Sequence, residues 1–168
     1  MNTRILPQSD EFPLAWEYDD ALDRERFVDA KIEDEEKRDE AAQKAFTAAY
    51  LQCVNTLDWS SLARDGQQPA LYWFRPIAGR DRQRLKDMDC GPAEKHGLAF
   101  RLALSRIEHG PSLPKLDPKK DPEYPRLGAM LPADAYELLM KFETPRTGSL
   151  VEQLGMFAWT RSTDLLPL

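Results

Sequence analysis

The chain has 168 residues, 29 of them acidic and 23 basic, for a formal charge of −6. With 42% apolar residues, 7 Phe, 5 Tyr and 4 Trp, it is too apolar and aromatic for wholesale disorder, and its length suits one domain with a real core. The longest apolar runs, Ala48 to Leu51 and Ala70 to Phe74, exclude a bilayer span.

The first twenty residues carry Asp10, Glu11, Glu17 and Asp19 and lack an apolar h-region, so no secretory signal is read there. Cys53 and Cys90 cannot form a disulfide framework and suit a reducing compartment. The expected location is the cytoplasm. Charge is polarised along the chain: Asp19 to Lys44 holds eleven acids and six bases, Arg75 to Arg106 eight bases and four acids.

Residues 1–18 read as an extended N-terminal segment, and 19–168 as a single, mostly helical domain. A long amphipathic helix is expected from about Asp19 to Leu57. Its second half repeats Ala42, Phe46, Ala49, Tyr50, Cys53, Val54 and Leu57 at three- and four-residue steps. Asp19, Asp20 and Asp23 suit the positive end of a helix dipole. Glu33 to Glu40 (EDEEKRDE) offers no apolar contact, and i,i+4 pairs Glu33–Lys37 and Asp34–Arg38 are expected to support it.

Ala70 to Ile77 reads as a strand, with Pro76 placing it at a strand end or a sheet edge. Its partners are sought in residues 3–6 or 14–18. A short helix is expected over about Arg80 to Met88, and another from Pro92 to near Gly110. Six prolines from Pro111 to Pro132 argue for a long loop. Two helices close the chain, from about Pro132 to Phe142 and from Ser149 to Trp159, the second opened by a capping-box pattern at Ser149 and Glu152. The expected fold is mostly α (α+β), with a minor β element around 70–77.

No nucleophile elbow, Walker loop or dinucleotide fingerprint occurs, and the eight glycines lie singly. Cys90, His96 and His109 are too widely spaced to specify a zinc site, and consecutive acids on a helix point around the cylinder without converging. Arg80, Arg82, Arg84 and Lys86, preceded by Tyr72, Trp73 and Phe74, would suit nucleic acid, but the net negative charge and the acidic helix oppose it. The arginines have an alternative partner in that acidic helix. What remains is protein binding, through the acidic helix (Glu33, Glu36), the aromatic strand (Tyr72, Phe74), the basic helix (Arg80, Arg84) and the apolar tail (Leu165, Leu166). No catalytic residue, metal or cofactor is expected.

Leu71 to Ile77 (LYWFRPI), followed by Gly79 to Arg82, resembles the extended strand and polar helix of some phage tail assembly chaperones. Gly97 to Leu104 and the helix start at Leu131 to Asp134 extend the likeness over about residues 70–142. The resemblance implies a small protein of the host cytoplasm, without catalytic residues or cofactor. Such a protein coats the tape-measure protein during tail assembly and leaves before the virion is complete. The alternative is a small inhibitory or regulatory protein that binds a host enzyme, its acidic helix imitating nucleic acid. A third reading is an enzyme with an unfamiliar site around Cys90, His96 and His109.

Overall fold

The structure is a computed structural model that describes residues 11–109, 139, 143–144 and 148–163. Strand β1 (Phe12–Leu14) is followed by a 3-10 turn (Glu25–Phe27) and helix α1 (Glu35–Thr56). Then come β2 (Leu71–Phe74), α2 (Gly79–Asp87), α3 (Pro92–Ala103) and β3 (Leu104–Glu108). Two paired two-residue strands, β4 (Glu143–Thr144) and β5 (Gly148–Ser149), precede α4 (Leu150–Thr163). The fold is mixed α+β and mostly helical, as expected.

The long N-terminal helix is half the expected length. Helix α1 starts at Glu35, where Asp34 adopts an extended ψ of 116° and accepts the Lys37 N–H at 3.1 Å. The acids upstream do not charge a helix terminus. Asp23 accepts the Arg26 N–H and Asp29 the Lys31 N–H, while Asp19 holds the Ala21 N–H. A short carboxylate that bonds its own neighbouring backbone offers the chain an alternative to helix, and here that alternative wins over residues 19–34. The stripe in the second half does form, with Ala42, Phe46, Tyr50, Cys53 and Val54 buried.

Strand β2 is central in a three-stranded antiparallel sheet of order β1-β2-β3, not an edge. Phe12 lies opposite Phe74 and Leu14 opposite Tyr72 on one side. Glu108, Ile107 and Arg106 lie opposite Leu71, Tyr72 and Trp73 on the other, with a bulge after Trp73. The described part of the 1–18 segment is extended at Phe12–Leu14 and packs into the fold. Phe12, Leu14, Ala15 and Trp16 all belong to the core.

Strand β3 occupies the last turn of the helix expected to reach Gly110. Leu, Ser, Arg, Ile and Glu have no strong preference against helix, so pairing with β2 decides their conformation. Helix α3 turns extended at Leu104, with ψ 124°, once Ala103 has given its carbonyl to the Arg75 N–H at 2.8 Å.

Aromatic rings fill the space between sheet and helices. Phe74 meets Phe100 of α3 edge-on at 5.3 Å, and Tyr50 of α1 lies 6.0 Å from Phe157 of α4. The C-terminal end of α4 ties the layers together. Arg161 donates to the Val54 carbonyl at 2.6 Å, placing a cation at the negative end of α1. Ser162 accepts the Ile77 N–H at 2.9 Å, and its own carbonyl accepts from Arg82.

At the start of α4 the expected cap is present, Ser149 Oγ accepting the Glu152 N–H at 3.1 Å, and the helix runs on past Trp159 to Thr163. The Pro111 to Pro132 stretch and the tail from Asp164 lie outside the described residues. Of the helix expected from Pro132 to Phe142, Leu139 alone is described, helical and fully buried.

Candidate functional site

Alternation along β2 divides its aromatics between two environments. Tyr72 and Phe74 face the core and are 1% and 0% exposed. They cannot meet a partner, which corrects the docking role expected of them. Trp73 faces the other way, half-buried beneath the guanidinium of Arg106, which lies 4.3 Å from the ring centroid. Glu11 anchors this outer face. Its carboxylate accepts from Ser105 Oγ at 2.6 Å and Arg75 Nε at 3.1 Å, and pairs with Arg106 Nη1. The Ser105 hydroxyl, with help from the two arginines, holds the Glu11 carboxyl below its ordinary range against a partial desolvation penalty. Arg106 also meets Glu108 at 3.1 Å.

The outer face thus presents an indole, two guanidiniums and two carboxylates on the three-stranded sheet. Trp and Arg are the residues that most often carry binding energy at protein interfaces. Sequence reasoning named Trp73 for stacking and missed Glu11, Arg75 and Arg106. The period of two within Leu71–Phe74 separates Trp73 from Tyr72 and Phe74, but the arginine that covers it comes from a segment read as helix.

The charged helices are disposed differently from expectation. Glu33 and Glu36 are exposed, as are Glu35, Asp39 and Glu40. Neither i,i+4 pair forms: Asp34 is the helix cap, and no ion pair joins Glu33 to Lys37. On α2, Arg80 and Arg84 are exposed, Arg84 lies 3.8 Å from Asp81, and Arg82 turns inward to the Ser162 carbonyl. Among the described residues no ion pair links α2 to α1, so the basic helix does not find its partner in the acidic one. Leu165 and Leu166 lie outside the described residues.

Cys90, His96 and His109 are not brought together as a metal site, and no cluster of three or more potential ligands occurs among the described residues. His109 borders an open cleft of about 360 Å³ with Trp59, Arg64, Asp65, Gln67 and Leu71. His96 sits half-buried in α3, where Gly155 of α4 approaches its backbone. Burial holds its imidazole below the ordinary 6.5, against the opposing pull of Glu152.

That burial has a consequence for acid stability. The folded state favours neutral His96, so its contribution is complete above about pH 6.5 and is lost as pH falls through the lower, folded value. A His96→Gln variant should therefore lose less melting temperature than the parent between about pH 7.5 and about pH 5. Identical slopes for the two proteins in a thermal scan across that range would remove His96 from the account.

No family model, no curated protein and no solved structure matches this chain. No helix among the described residues is long and apolar enough to cross a membrane.

Proposed function

We propose that this chain is a non-catalytic protein-binding accessory protein of the cytoplasm, acting as a tail assembly chaperone on a tape-measure protein. The observation that carries the protein-binding reading is the start of α1. From Glu35 to Ala41 the helix buries no residue, while its second half packs into the core. A helical segment that is polar all round contributes little to its own fold and remains available to a second molecule. The outer face of the sheet, with Trp73 under Arg106, supports the same reading. The resemblance of residues 70–142 supplies the particular partner, a long helical tape-measure protein.

Co-expression with a long, apolar helical partner tests this directly. The chain should raise the partner's soluble fraction and co-purify with it in stoichiometric amount. An unchanged soluble fraction would sink the chaperone reading.

One observation favours a second reading. Glu33, Glu35, Glu36, Asp39 and Glu40 form an exposed run of carboxylates that no described arginine or lysine neutralises by an ion pair. A small inhibitor of a nucleic-acid-handling enzyme would present such a run to a basic groove. That reading predicts capture by a basic protein that weakens with salt, and a loss of about tenfold or more in a Glu33→Lys/Glu36→Lys variant. Equal affinity of parent and variant would exclude it.

A further inference from the structure

The two outer strands of the sheet are not equivalent. Pro13, in the middle of β1, has no N–H, and its carbonyl accepts from Trp59 Nε1 at 2.9 Å. Ala15, one residue past the end of β1, gives its carbonyl to the Tyr50 hydroxyl at 2.7 Å. Both oxygens therefore point away from β2, and the β1 edge is occupied by side chains of the fold itself. A strand sealed in this way cannot accept another.

The same alternation fixes the polarity of β3. If Pro13 faces outward, Phe12 and Leu14 bond to Phe74 and Tyr72, which leaves Leu71 and Trp73 to bond to Glu108 and Arg106. The Arg75 N–H, next in that alternation, does bond to the Ala103 carbonyl. Ile107 then directs its N–H and C=O away from the sheet. Strand β3 is an outer strand, and among the described residues nothing is bonded to that edge at Ile107.

We propose that this edge is self-pairing: two copies of the chain join β3 to β3 antiparallel about a two-fold axis at Ile107, giving one six-stranded sheet. The sequence of β3 is self-complementary in that register. Ile107 faces Ile107 of the second copy and exchanges both backbone hydrogen bonds with it. Arg106 falls opposite Glu108 of the second copy, and Glu108 opposite its Arg106. These are non-hydrogen-bonded positions, where side chains come closest, and opposite charges there are favourable. The Arg106–Glu108 pair already present within each chain would become a ring of four alternating charges. The isologous contact closes on itself, so it yields a dimer and not a fibre. His109, at φ 56°, ends the extended run directly after Glu108.

Sedimentation of the full chain over a concentration series should give twice the 19.3 kDa chain mass. Ile107→Pro should give a folded monomer by near-ultraviolet circular dichroism, because the N–H it removes is not used within the sheet. Glu108→Arg, which sets like charges opposite each other, should weaken the dimer about tenfold. Amide exchange at Ile107 should slow as protein concentration rises. A monomer at every concentration would overturn the proposal, as would a dimer of unchanged affinity in Glu108→Arg and Ile107→Pro. Should Ile107→Pro unfold, concentration-independent exchange at the parent's Ile107 would overturn it just as well.

Discussion

Gly155→Ala should destabilise the protein by about 2 kcal/mol or more, although the same substitution stabilises most helices. In an exposed helix, alanine gains about 1 kcal/mol over glycine because the chain loses less entropy. At Gly155 a Cβ would stand 1.8 Å from the His96 carbonyl oxygen, 2.6 Å from its carbon and 3.2 Å from Phe100 Cβ. The first two are backbone atoms of α3, so no rotamer change can make room. Helices α3 and α4 would have to separate, loosening contacts among Ala99, Phe100, Leu154 and Ala158, all of them fully buried. Overpacking of this kind costs about 1–3 kcal/mol and occasionally more, and a clash with backbone atoms belongs at the upper end, which leaves a net loss of about 2 kcal/mol after the propensity gain. A fall in melting temperature of about 4–8 °C is expected for a chain of this size. Gly79→Ala is the internal control, since its Cβ would meet only Arg82 Nη2 at an ordinary 3.6 Å, and its stability should stay within about 0.5 kcal/mol. Equal stability of Gly155→Ala and the parent in urea would mean that the two helices are not held this closely.

The pattern of success in reading the sequence follows from the range of the interactions involved. The stripe Ala42, Phe46, Tyr50, Cys53, Val54, the helix start at Pro92 and the cap at Ser149 depend on neighbours within one or two turns, and each was legible. Residues 19–34 misled because Asp at a helix start and Asp in a local turn look alike in sequence. The choice was made by Asp19 reaching Ala70, fifty-one residues away. Strand β3 misled for the converse reason: its residues are indifferent, and pairing with Trp73 and Tyr72 chose for them.

The candidate surface was legible only in fragments. Glu33, Glu36, Arg80 and Arg84 lie on the exterior as charge predicts, whereas Tyr72 and Phe74 do not. An aromatic run carries no mark of which ring faces inward until the sheet's neighbours are known. Glu11 is the clearest case of a residue that sequence could not single out. Its partners Arg75, Ser105 and Arg106 are sixty-four to ninety-five residues distant and meet it only after three strands have paired.

Among the described polar side chains, Asp19 is the one whose loss should cost most. It is 2% exposed, and its two oxygens serve two different backbone donors, Oδ1 accepting from Ala21 at 2.8 Å and Oδ2 from Ala70 at 2.9 Å. Both donors are themselves buried, so water cannot replace the carboxylate. Asp19→Ala strands two N–H groups at about 1–3 kcal/mol each, for a total loss of about 2–6 kcal/mol. Asp19→Asn separates this account from a simple effect of charge. The amide keeps one acceptor but turns an NH2 toward the second N–H, setting donor against donor. It should therefore recover less than half of the loss, in contrast to a site that needs only a polar group of the same shape.

The damage has a definite address. Ala70 leads directly into β2, and the neighbouring bonds Asp23 N–H to Leu62 and Arg64 N–H to Ala21 clamp the same loop to the segment before it. Loosening Asp19 frees the start of β2, on which the burial of Tyr72 and the outward display of Trp73 both depend. In a urea titration followed by tryptophan fluorescence the midpoint of Asp19→Asn should fall close to that of Asp19→Ala. An Asp19→Asn midpoint equal to the parent's would show that a single acceptor suffices and that the carboxylate does not staple these two segments.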